Sequence, residues 1–135
     1  MKTLDRVFGS LMFLGGIGHG LGSIRAYGKD PMTLLWALSA SFAGFLLAAL
    51  NLLRVGRIGD RVLAWVCFAG CLIQIAFALR FGMLIGNVFD FRPLGQAIIA
   101  AVLASFSARS ALQSRAYGRL AAESGSSILK KRGLV

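Results

Sequence analysis

The amino-acid sequence predicts an all-α fold, an antiparallel (up-down) bundle of four transmembrane helices. Three observations carry this expectation. Four long segments are apolar and nearly free of charge, the connections between them are eight residues each, and the basic residues collect at alternate ends. Hydrophobic residues make up 57% of the 135 positions and charged residues only 15%. A water-soluble domain carries about 25% charged residues, so a soluble globule or a disordered chain fits poorly.

The first segment, Val7–Ile24, has 18 residues without formal charge and is interrupted only by His19. Thr33–Leu53 has 21 uncharged residues, and Val62–Leu79 has 18 and continues past Arg80 to Ile85. The fourth, Leu94–Ala108, is shorter at 15 and extends past Arg109 to Leu112. About 20 apolar residues in a helix cross a hydrocarbon core of about 30 Å, and a helix satisfies its own backbone as lipid requires. With a flanking turn counted, the spans are expected at about 5–24, 33–53, 62–85 and 94–112. Together they form one transmembrane domain over 1–112, followed by a basic tail over 113–135. Lys2 and Val7–Ile17 imitate a signal peptide, but no A-x-A-like cleavage site follows, so the first span is expected to stay.

Short links favour antiparallel neighbours. Gly28, Asp30-Pro31, Gly56, Gly59-Asp60 and Arg92-Pro93 punctuate the chain. Eleven of the 15 Lys and Arg residues lie at the N-terminus, in the Arg54–Arg61 link or from Arg109 onward. Only Arg25, Lys29, Arg80 and Arg92 lie toward the opposite side. Basic residues stay cytoplasmic, which predicts a multi-pass protein of the inner (plasma) membrane with both termini inside. Trp65 and Tyr117 then belong to the inner interface, and Tyr27 and Trp36 to the outer one.

The net charge of +10 therefore caps membrane helices and does not point to nucleic acid. The tail segment Ser124–Ser127 reads as flexible, and Lys130, Lys131 and Arg132 read as a solvated end near anionic lipid.

Counted at 100° per residue, the upper half of the first helix splits into a small-residue face and a greasy face. Gly15, Gly16, Gly18, His19, Gly20, Gly22 and Ser23 share the small face. Matching stripes are Ala37, Ala40, Ser41, Gly44, Ala48 and Asn51, then Cys67, Gly70, Cys71, Gln74 and Ala78, then Gln96, Ala100, Ala104, Ser107 and Ala111. In lipid, apolar burial does not pull helices together, so small residues and interhelical hydrogen bonds must. The four stripes are expected to face one another, with Gly15, Gly18, Gly22, Gly44 and Gly70 as packing positions and Leu, Ile and Phe turned outward.

Candidate chemistry is sparse. His19 is the lone histidine, and ionisable groups inside a membrane mark function or a paired contact. With Ser41, Gln74 and Gln96 it could line a small polar pocket for a quinone carbonyl, a lipid headgroup or another small polar ligand. The competing reading is a neutral histidine bonded to a neighbouring helix. Arg80 reads as a snorkelling residue near Asp90. Cys67 and Cys71 stack on one helix face and read as packing residues, since four-residue spacing neither closes a disulfide easily nor makes a C-x-x-C motif. No metal ligand set appears, and a single histidine supports bis-histidine haem only across a homodimer. No P-loop, G-x-S-x-G elbow or H-E-x-x-H motif is present, which leans away from an enzyme.

The run Gly15-Gly16-Ile17-Gly18-His19-Gly20-Leu21-Gly22-Ser23, followed by three more short spans, resembles small uncharacterised bacterial four-helix integral membrane proteins. It is distantly similar in size and layout to DoxX-like proteins, some of them linked to quinone-coupled sulfur oxidation. The resemblance implies a four-helix membrane fold and transfers no catalytic residue. Three functions follow as expectations. The first is a non-catalytic subunit, scaffold or accessory protein contacting lipid, as a homo-oligomer or within a larger membrane complex. The second is a redox-linked protein holding quinone or haem at His19. The third is a small oligomeric transporter or channel.

Overall fold

The structure is a computed structural model that describes residues 2–57 and 59–131, with side chains as far as residue 113. All regular structure among the described residues is helical: α1 (Lys2–Tyr27), α2 (Pro31–Gly56), α3 (Arg61–Leu84) and α4 (Phe91–Lys131). The first two helices have 26 residues each, about 39 Å of rise, and the third has 24. All four contain stretches long and apolar enough to cross a membrane.

Three of the acidic residues start helices. Asp30 accepts the Thr33 N–H at 3.2 Å, with Pro31 in the first turn where its missing N–H costs nothing. Asp60 accepts the Leu63 N–H at 3.0 Å. Asp90 stands just before α4 and accepts the Arg92 N–H at 3.0 Å. The stops use glycine where the backbone turns left-handed. Gly86 follows α3 at φ +74°, and Gly59 lies between α2 and α3 at φ +95°.

The helices extend beyond their uncharged cores, and this changes one assignment. The second span was expected to end at Leu53, with Arg54 in the link, but α2 runs on to Gly56 and Arg54 is buried. The reason is a partner: Asp5 of α1 meets it. At the other end of the chain, the α4 backbone stays helical through Ser124–Ser127 to Lys131, where the composition suggested flexibility. The side chains of Arg115, Tyr117, Arg119, Lys130 and Lys131, and all of Arg132, lie outside the described residues.

Packing pairs α1 closely with α2 and α3 closely with α4, and thinner seams join α1 to α4 and α2 to α3. Along the first seam a methyl group added at Gly9 would meet Leu52, at Gly16 the Phe45 ring, and at Gly20 Ser41. The centre is Met12, Leu47, Ala48, Cys71, Ala100, Leu103 and Ala104, edged by Phe8 and Phe106 in a T-shaped contact at 6.4 Å.

The interior is narrow and the exterior bulky. Ala48, Ala64, Cys67, Cys71 and Ala100 have no exposure, whereas Leu21, Phe42 and Phe77 are more than 60% exposed. On α2, α3 and α4 the inner faces follow most of the small-residue stripes: Ser41, Gly44, Ala48 and Asn51; Cys67, Cys71 and Ala78; Ala100, Ala104, Ser107 and Ala111. Ala37, Gly70, Gln74 and Gln96 are half-buried, and Ala40, expected inside, is exposed. On α1 the buried line is instead Gly9, Met12, Gly16 and Ser23, while Gly18, His19 and Gly22 are exposed.

Candidate functional site

Where α1 begins and α2 ends, the interior becomes polar. Asn51 of α2 is fully buried. Its Nδ2 donates to the Leu47 carbonyl at 2.9 Å and to Cys71 Sγ at 3.6 Å, and its Oδ1 accepts from Ser107 Oγ at 3.2 Å. One residue thereby reaches α3 and α4 at once. Almost a turn further on, Arg54 Nη2 donates to Asp5 Oδ1 at 2.6 Å and Nη1 to the Phe106 carbonyl at 3.4 Å. The side chains of Arg54 and Asp5 are only 3% and 13% exposed. α2 and α4 are not packed neighbours, so the bonds to Ser107 and to the Phe106 carbonyl cross the bundle on its diagonal.

A planar guanidinium suits this position because it offers five donors in fixed directions. Two of its nitrogens are engaged, and Arg54 Nε is buried without a partner. An unpaired buried donor costs about 1–3 kcal/mol, and losing one member of a buried ion pair costs about 3–5 kcal/mol.

A half-open cleft of about 190 Å³ adjoins the pair. It is lined by Lys2 and Asp5 of α1, Arg54 of α2, and Phe106, Arg109 and Gln113 of α4, with Val55 and Ser110 completing the wall. Three cations therefore face one carboxylate, and that carboxylate is already held by Arg54. The volume corresponds to about six waters and is below the about 300 Å³ at which pockets for drug-sized molecules begin.

The polar residues singled out from the sequence lie elsewhere. Ser41 is buried, its Oγ donating to its own helix at the Ala37 carbonyl, 3.1 Å away, beside Gly20. Gln96 presses its amide against Gly15, and Gln74 is half-buried on α3. His19 is exposed on α1, and its carbonyl accepts Ser23 Oγ at 2.8 Å. Thus Gly15–Gln96 and Gly20–Ser41 are brought together, while His19 stands on the outside with Gly18 and Gly22. Gly70 lies under Leu47, and Gly44 is buried with open space around it.

Cys67 and Cys71 are buried free thiols. Asp90 pairs with Arg92 at 2.8 Å, and Arg80 is exposed. Sequence reasoning overlooked the Asp5–Arg54 pair because both residues flank uncharged spans, and Arg54 was read only as one of the basic residues of the Arg54–Arg61 link. The signal was present: Arg54 continues the face of Ala48 and Asn51, three residues past Asn51, and Asp5 is the lone acid in a basic N-terminal flank.

No known protein family matches the chain, and no curated protein or solved structure matches it.

Proposed function

We propose that this chain is a small multi-pass protein of a bacterial inner membrane that serves as a non-catalytic subunit, scaffold or accessory protein. The observation that carries the reading is the inversion of bulk between inside and outside. Large apolar side chains cover the exterior, as at Phe42, Phe77 and Leu21, while alanine, glycine, serine and cysteine fill the interior. Water would penalise such an exterior, and hydrocarbon would not.

The proposed arrangement is up-down with both termini in the cytoplasm. Its support is the pairing of low with high residue numbers, Asp5 with Arg54 and Gly16 with Phe45, and the clustering of Lys2, Arg6, Arg54, Arg57, Arg61 and Arg109 toward one end. The subunit reading draws on α1. Gly18 and Gly22 flank His19 on an exposed face where added methyl groups would meet nothing within 4 Å. Such a face admits close approach of another membrane helix, from a second copy or a partner subunit, with His19 available to hydrogen-bond across the contact.

The test is purification from native membranes in mild detergent, with a cysteine introduced at either end for impermeant labelling of intact cells. The reading expects termini shielded from the label and a co-purifying assembly that Gly18→Leu or Gly22→Leu disperses. A monodisperse chain in detergent-free buffer, or a terminus labelled from outside, overturns it.

A further inference from the structure

We infer that the cleft beside Asp5 and Arg54 is a binding site for a phosphate-bearing anion. Its charge balance is the first argument. Lys2, Arg54 and Arg109 face the cleft with Asp5, and Asp5 is neutralised by its short contact with Arg54. Lys2 and Arg109 are exposed, come from different helices and converge on the same space. Cations that line one cleft attract an anion into it.

The second argument is the kind of cation present. Arg54 lines the cleft with a guanidinium that is almost wholly buried. Planar guanidinium groups pair strongly with phosphate oxygens. Phe106 supplies an apolar wall and Gln113 an amide at the rim. The cleft suits one compact headgroup-sized anion rather than a large ring system.

The chemistry is shared by an anionic phospholipid headgroup and by free phosphate. The lipid source rests on the membrane reading above, since a basic pocket between helices at the cytoplasmic end meets anionic headgroups. The free-phosphate source does not.

The experiment uses the full chain in lipid discs containing equal phosphatidylglycerol and phosphatidylcholine, with retained lipid read by native mass spectrometry. Inorganic phosphate is titrated in parallel by calorimetry. Arg54 holds the bundle together, so the variants are Lys2→Gln and Arg109→Gln, with Arg57→Gln as a control that is exposed and outside the cleft lining. Preferential retention of phosphatidylglycerol, falling about fivefold for each cleft cation removed and unchanged by Arg57→Gln, establishes the site with lipid as its source. Phosphate binding with the same dependence on Lys2 and Arg109, without lipid preference, establishes it with a soluble source. Retention and binding both absent, or both indifferent to Lys2 and Arg109, overturn the inference. A chain that enters the discs yet gives that last result overturns the site and leaves the membrane reading standing. A chain that does not enter the discs overturns the membrane reading, and the phosphate titration then decides the site alone.

Discussion

Arg54 and Asp5 are 49 positions apart in the chain and 2.6 Å apart in the fold. Their contact ties the last turns of α2 to the first turn of α1, and the Phe106 carbonyl adds α4. A buried pair of this kind is worth little against an apolar replacement, but breaking it from one side is costly.

Removing one partner should therefore harm the fold more than removing both. Asp5→Ala is expected to cost about 3–5 kcal/mol because Arg54 stays buried with its main counter-charge gone. Asp5→Ala combined with Arg54→Met should recover much of the loss. Unfolding in detergent followed by circular dichroism measures both, and a double variant less stable than Asp5→Ala would refute the pairing.

The glycines divide by what surrounds them. A methyl group at Gly82 would come within 2.9 Å of the Val88 Cα, a backbone atom that cannot swing aside. Gly82→Ala should cost about 1–3 kcal/mol through overpacking. Gly18 has open space, so Gly18→Ala should be neutral or gain up to about 1 kcal/mol from helix propensity. Equal stability of the two variants in monomeric form would contradict this geometry.

Gly44 tests the narrow interior in a graded way. It is buried but has room for one methyl group, while nearby Leu46 is half exposed. Gly44→Ala should be tolerated, whereas Gly44→Leu should destabilise the bundle more than Leu46→Ala. Thermal unfolding in detergent ranks the three, and the reverse order for the last two would place Gly44 on the outside.

Ser107 and Asn51 join α4 to α2 through one hydrogen bond at 3.2 Å. Hydrogen bonds between membrane helices average about 0.6 kcal/mol and reach about 1.7. A double-mutant cycle with Ser107→Ala and Asn51→Leu should return a coupling in that range. Zero coupling would mean that the two side chains do not sense each other.

The link before α4 has its own pH signature. Hydrogen bonds from Arg92, chiefly from its side chain, hold the exposed Asp90 carboxyl down to about 2 from the ordinary 3.8. Because the folded value is depressed, the stabilisation is complete above about 3.8 and is lost as pH falls through about 2. A carboxyl titration by NMR should find a midpoint near 2, moving up toward 3.8 in Arg92→Gln. A wild-type midpoint at 3.8 would show that the pair does not persist in solution.

Much of the architecture was legible in the residues. Charge-free runs mark the stretches long and apolar enough to cross a membrane and separate them from the links, and Asp30-Pro31 and Asp60 mark helix starts by simple capping chemistry. On α2, α3 and α4 the small-residue stripes identify the buried face, since periodicity alone decides which residues share a side. The candidate site was less legible. Its members come from positions 2, 5, 54, 106 and 109, and nothing local in the chain records that they meet.

The amino-acid sequence by itself determined four apolar helices, their order and the bias of basic residues to one end, because these depend on hydropathy and spacing within short segments. Only the tertiary structure decided that α1 buries Gly9, Met12, Gly16 and Ser23 and leaves His19 outside, and that Arg54 turns inward to Asp5. The rotation of a helix about its axis, and the partner of a charge near its end, depend on contacts between distant residues. Such contacts exist only once the helices have packed.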